Sequence, residues 1–239
     1  MRIAVLFATA PLVGALLLGG CSVGPDSRTG TTQLTPITPS KSRVSTPATS
    51  ATSSGAATST EPAAAAPRGD AAIGEAIAWV EAGAPVDAAE FNVALRGSTA
   101  TRLGGDVAFT TPTGTSCMTD VKRSSADLAC LVDLGDPPPQ PPDTYGVWKG
   151  GWVDFDGAGV RVGSAHGDPG RFAAGQGPPL PAGRSLSFGD FRCRTDADTL
   201  ICVNYARQTA VRYADDGIEA FGCTRQSPPA AGVGIQYSC

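Results

Sequence analysis

The order of apolar and polar positions divides the chain into stretches of different character. Ile3 to Leu18 is almost wholly apolar, broken only by Thr9, Pro11 and Gly14. From Ser22 to Arg68 apolar periodicity disappears. Ser, Thr, Pro and Ala dominate there, as in Ser45-Thr46-Pro47-Ala48-Thr49-Ser50 and Ala63-Ala64-Ala65-Ala66-Pro67. Beyond Asp70 the pattern becomes that of a folded chain. Ile73, Ile77 and Val80 recur at i, i+4 and i+7 with Ala76 beside them, which predicts a helix over about 71–82. Asp70 is placed to cap it, and Gly83-Ala84-Pro85 to stop it. Trp79 belongs to the packed face.

After the helix the period shortens. Phe91, Val93 and Leu95 alternate, as do Val107 and Phe109 ahead of the turn-rich Thr110 to Gly114. Leu128 to Val132 is a short apolar run, and Pro137 to Pro142 is a proline loop. Trp152 to Phe155 and Val160 to Val162 flank Asp156-Gly157-Ala158-Gly159, which reads as a hairpin loop. Leu186 to Phe188, Leu200 to Val203 and Ala210 to Tyr213 follow, with Asp216-Gly217 turning the chain between Tyr213 and Ile218. Many short strands punctuated by Gly and Pro predict a mainly β domain, a small sandwich or barrel-like fold with one N-terminal α-helix; α+β is the alternative.

Composition narrows the function classes. The chain has 239 residues, with 30 Gly, 20 Pro and only 6% aromatics, so one fold does not occupy every residue. It carries 18 Lys+Arg against 22 Asp+Glu, which lacks the basic excess of a nucleic-acid binder. A single histidine, His166, excludes multi-histidine metal sites.

The apolar run ends in Leu18-Gly19-Gly20-Cys21. It is too short for a confident membrane span and suits a secretory signal. A Leu, two small residues and a Cys at this depth resemble the lipobox of bacterial lipoproteins. That resemblance implies removal of residues 1–20 and attachment of a diacylglyceryl group to Cys21, the new first residue. Each buried CH₂ contributes about 0.8 kcal/mol, so two or three acyl chains hold a protein on a membrane stably. Residues 21–69 are then the lipidated Cys and a Ser/Thr/Pro/Ala-rich tether, disordered and dispensable for folding. Its composition buries too little apolar surface to offset chain entropy, and as a random coil it reaches about 35–40 Å. Its Ser and Thr residues are O-glycosylation candidates. Residues 70–239 form the globular domain.

Apart from Cys21, six cysteines remain: 117, 130, 193, 202, 223 and 239. An even number in an exported chain reads as a disulfide framework, and six allow fifteen connectivities. Hairpins favour local pairing, because bridging requires Cα atoms about 4.4–6.8 Å apart. Cys193–Cys202 spans the turn-forming Asp196-Ala197-Asp198 and Cys117–Cys130 spans a polar connection. Cys223–Cys239 follows by elimination.

Phe109-Thr110-Thr111-Pro112-Thr113-Gly114-Thr115-Ser116-Cys117, then Cys130, resembles a pattern in exported actinobacterial proteins of unknown function. So do Leu180-Pro181-Ala182-Gly183, then Cys193, and Leu200-Ile201-Cys202-Val203-Asn204. Thr115 stands where that family usually has Asn, its middle Cys pair is absent, and Cys223 and Cys239 are additional. The resemblance implies no activity.

Candidate chemistry is sparse. Ser164, His166 and Asp168 lie in one glycine-rich stretch, whereas triad members come from separate elements, so His166 is expected in a solvent-exposed loop. Asp154 and Asp156 would share a strand face, but the further ligands of a calcium loop are missing; Asp196 and Asp198 read as turn residues. No metal or other cofactor is expected. Trp148 and Trp152 flank Lys149-Gly150-Gly151 and are the candidate binding surface, able to stack on sugar rings or a partner. The reading is a membrane-anchored, non-enzymatic envelope lipoprotein. Its partners are the membrane through its lipid and a cell-wall glycan, lipid or envelope protein, with no nucleic acid. A structural lipoprotein without a small ligand and an envelope hydrolase are the alternatives.

Overall fold

The helix begins later than the spacing predicts. In the computed structural model, which describes residues 64–122, 127–166 and 170–239, α1 spans Ile73–Glu81. Ala72, not Asp70, precedes it, and no side chain caps its first turn. The approach is set instead from outside the helix. Arg68 pairs with Asp216 at 2.8 Å and with Glu219 at 2.9 Å, and the Gly69 amide donates to Glu219 at 3.0 Å. The Trp79 indole N–H donates to the Ala64 carbonyl at 3.0 Å. Residues 64–69, read from sequence as the end of the tether, are therefore packed on the domain. The rest of the predicted tether, the signal segment and Cys21 lie outside the described residues, which all fall in one compact unit.

The strands follow in chain order. β1 is Ala84–Pro85; β2 (Val93–Arg96) and β3 (Thr99–Arg102) form a two-stranded ribbon. Phe91, expected at the start of a strand, instead closes a 3₁₀ turn, Ala88–Phe91, capped by Asp87 accepting from the Ala89 amide. Then come β4 (Ala108–Thr110), β5 (Ser116–Thr119), β6 (Leu128–Leu131), β7 (Val147–Phe155) and β8 (Gly159–His166). β9 (Arg184–Phe188), β10 (Phe191–Thr195), β11 (Leu200–Asn204), β12 (Thr209–Ala214) and β13 (Gly217–Phe221) make a run of hairpins, and β14 (Arg225–Ser227) and β15 (Val233–Ser238) end the chain. One sheet has the order β1-β9-β10-β11-β12-β13 and the other β14-β15-β8-β7-β6-β5-β4. Neither closes on itself, so the domain is an open sandwich and not a barrel.

Alternation explains which face each strand presents. Cys130, Val153, Phe155, Val160 and Val162 of the seven-stranded sheet meet Leu186, Cys193, Leu200, Cys202, Val211 and Tyr213 of the six-stranded sheet in the main core. The intervening residues are apolar as well. Ile201, Val203 and Ala210 pack under Ala76, Trp79 and Val80 of α1. On the far side, Met118, Ala129 and Trp152 pack with Ala94 and Phe172. Each sheet is thus covered on both faces, which is why Leu128 to Val132 and Leu200 to Val203 read as unbroken apolar runs.

All three cysteine pairs expected from sequence stand at disulfide distance. Cys117 is directly opposite Cys130 on β5 and β6, and Cys193 opposite Cys202 on β10 and β11, with Cα separations of 4.1 and 4.0 Å. Both pairs are fully buried. Cys223–Cys239 joins the loop after β13 to the end of β15, and so ties one sheet to the other. Such pairs fit an oxidising, extracytoplasmic compartment. Among the described residues no helix is long and apolar enough to cross a membrane.

Candidate functional site

The two tryptophans proposed as a binding surface have separate structural roles. Trp152 is 1% exposed and belongs to the packed outer face of the seven-stranded sheet. A register irregularity between Lys149 and Val153 in β7 sets Val153 toward the main core and leaves Trp152 outside it. Its ring stacks on His166 at 3.6 Å between centroids and meets the edge of Phe172 at 5.4 Å. This burial removes Trp152 from any ligand surface. It also corrects the reading of His166, which is the last residue of β8, opposite Val147, rather than part of an exposed loop. The His166 Nε2 is closed to solvent and has no hydrogen-bond partner among the described residues. Burial lowers the imidazole pKa below its usual 6.5, against the opposing pull of Asp154.

The carboxylates nearby are occupied. Asp154 faces Arg171 at 3.6 Å, while Asp156 accepts from the Ala158 and Gly159 amides and holds the β7–β8 turn. They do not form a paired site. Asp196 accepts from the Ala197 amide and Asp198 from the Thr199 hydroxyl, as turn residues do. Among the described residues no group of three metal-ligating side chains comes together.

Trp148 is half-buried and acts as a prop. Its indole N–H donates to the Pro138 carbonyl at 2.9 Å and anchors the proline loop to β7. The loop can approach the sheet because three strand positions, Gly150, Gly163 and Gly234, lack side chains. A Cβ on Gly163 of β8 would stand 2.6 Å from the Trp148 ring, and one on Gly234 of β15 would stand 2.7 Å from Pro138. Prolines donate no backbone hydrogen bond, so this segment cannot join the sheet as a strand. Its far end is held by the Thr144 amide on the Pro141 carbonyl and by Gln140 on the Thr144 carbonyl.

Between this loop and the β14–β15 connection runs a groove of about 490 Å³. One wall is Pro139 to Thr144 and the other is Pro229 to Gly234. The second wall is fixed by Gln236, which accepts from the Ala230 amide at 3.0 Å, and by the Val233 amide on the Ala230 carbonyl. Beyond Thr144, Tyr145 is 93% exposed and Val147 56% exposed, an aromatic and an aliphatic left in water on successive outward positions. Sequence reading singled out Trp148 and Trp152 and passed over Tyr145. The available signal is an aromatic three positions after Pro142, at the end of the proline loop, where no strand partner is available to bury it. No family model matches this chain, nor does any curated protein or solved structure.

Proposed function

We propose that the protein is a lipid-anchored lipoprotein of the bacterial cell envelope whose domain is a non-enzymatic binding module for cell-wall glycan. The lipobox ending in Cys21 and the likeness to exported actinobacterial proteins support the location, and the disulfides fit it. The observation that carries the binding reading is Tyr145, almost fully exposed beside a groove built of conformationally fixed prolines. An exposed tyrosine presents a flat apolar face with a polar tip, which suits the C–H face of a sugar ring. Asp143, Thr144 and Gln140 supply polar groups along the same wall. A rigid groove loses little conformational entropy when it is filled. The placement of His166 and Asp154 in packing and ion pairing supports binding over catalysis.

The test is retention on insoluble cell-wall polysaccharide. The wild-type chain should be retained, and Tyr145→Ala should lose most of that retention while its melting temperature is unchanged. Equal retention of the two proteins would overturn the assignment of the groove, and no retention of the wild type would overturn the glycan reading.

A further inference from the structure

Arg194 is a buried cation with no counter-ion among the described residues. It lies on β10 beneath α1 and is 6% exposed. Its guanidinium stands over the Trp79 ring at 4.1 Å, and its Nη1 donates to the Trp79 carbonyl at 2.6 Å. Among the described residues no other hydrogen bond engages the group, and its Nε is buried without a partner. Among the described residues no carboxylate lies within salt-bridge distance of it. A desolvated charge is costly unless it is paired and hydrogen-bonded, and stacking on one indole compensates only part of that cost. Arg212, on the far side of β11 in the same sheet and equally buried, has a carboxylate partner, Asp216 at 2.8 Å, although its Nε is likewise unpartnered among the described residues.

The unpaired guanidinium lines a cavity of about 480 Å³. Ala78, Ala82 and Trp79 of α1 form one side, Ala64, Ala65 and Pro67 the other, and Glu75 adds a carboxylate. The walls are therefore small and apolar, with a cation deep in the site and an anion on the exposed helix surface. A simple inorganic anion would meet Glu75 and gain nothing from the apolar walls. A ligand with a free carboxylate, a small apolar body and an N–H-bearing or ammonium group satisfies all three features.

The geometry points to this cavity as a second binding site, distinct from the proline groove, that takes the C-terminal end of a short peptide with small side chains. The terminal carboxylate pairs with Arg194, whose planar fork suits carboxylate geometry. The peptide N–H groups or the terminal ammonium face Glu75. Because Ala64 to Pro67 form a wall, occupation also holds the incoming chain against the domain.

Tri-alanine is the probe, titrated into the full-length chain in detergent micelles. The signals to follow are the Trp79 indole N–H and the Arg194 Nε–H. Both should shift on titration. The C-terminal amide of the same peptide should bind at least about tenfold more weakly, since it lacks the charge. Arg194→Gln should abolish the shift at Trp79, and Glu75→Gln should weaken the free-amine peptide more than its N-acetyl form. If Arg194→Gln does not fold, the comparison of acid with amide on the wild type decides. Equal affinity for the two peptides, absence of shifts at millimolar peptide, or contacts from Trp79 to the chain ahead of Ala64 that exclude the peptide would each overturn the proposal.

Discussion

His166 shows how one side chain couples packing to pH. Its ring lies flat on Trp152, its Nε2 faces no acceptor among the described residues, and burial disfavours the charged form. The folded pKa is therefore below the unfolded value of about 6.5. Above that value both states hold a neutral ring and the group is silent. As pH falls from there toward the folded pKa, the unfolded chain takes up the proton first, and stability declines. The melting temperature of the wild type should thus drop more between neutral and mildly acidic pH than that of His166→Phe, which keeps a ring on Trp152 without a titrating group. Parallel curves would show that protonation of His166 does not reach the fold. The residue's location was not legible in the sequence. Gly163-Ser164-Ala165-His166 has the composition of a loop, and it is the pairing of Ser164, Ala165 and His166 with Lys149, Trp148 and Val147 that makes it a strand.

At the scale of elements, the segment before α1 is a strap. Arg68 sits between Asp216 and Glu219, and Arg212 of β12 completes the cluster at 2.8 Å from Asp216 and 3.5 Å from Glu219. Hydrogen bonds from Arg212 and then Arg68 hold the Asp216 carboxyl down to about 2. The stabilisation this brings is present above the ordinary carboxylate range and is lost as pH falls toward that value. A chain beginning at Asp70 should melt below one beginning at Ser22, because it lacks Arg68 and leaves the Trp79 N–H without its carbonyl. That hydrogen bond alone is worth about 0.5–1.5 kcal/mol. Identical melting would mean that residues 64–69 add nothing. The sequence pattern ends the tether at residue 69 because Ala64 to Gly69 carry no apolar period; the partners of Arg68 and Gly69 lie some 150 positions away, beyond the reach of local pattern. The hairpins were legible for the opposite reason. Cys193 and Cys202 lie either side of a turn, so strand pairing alone sets them face to face. Trp152 misled because its setting depends on an irregularity in β7 at Gly150-Gly151, a local departure from alternation that the residue types suggest but do not locate.

For the whole molecule, the disulfides and the proposed lipid attachment act at different levels. Two disulfides lie within single sheets and the third crosses between them, so the sandwich is stapled without any of the three touching the groove. The proposed attachment to the membrane, by contrast, rests on Cys21. The wild-type protein should partition into the detergent phase and Cys21→Ala into the aqueous phase; equal partitioning would refute a lipid anchor there. The mainly β class was legible from short apolar runs separated by Gly and Pro. The groove was not, since its walls come from residues 139–144 and 229–234, brought together only when β15 pairs with β8.

The strap also determines how the domain bears load. A pull arriving from the side of Ala64 meets first the hydrogen bond from Trp79 of α1 to the Ala64 carbonyl, then Arg68 and Gly69. The partners of Arg68 and Gly69 are Asp216 and Glu219, at the tip and along the strand of the β12–β13 hairpin. Tension is passed into β13, and from there Cys223–Cys239 carries it across to β15, whose preceding loop forms one wall of the groove. Stretching the chain from that side thus loads α1 only through the Trp79 indole, and once that bond parts it strains the hairpin and the disulfide in series until the arginine lets go.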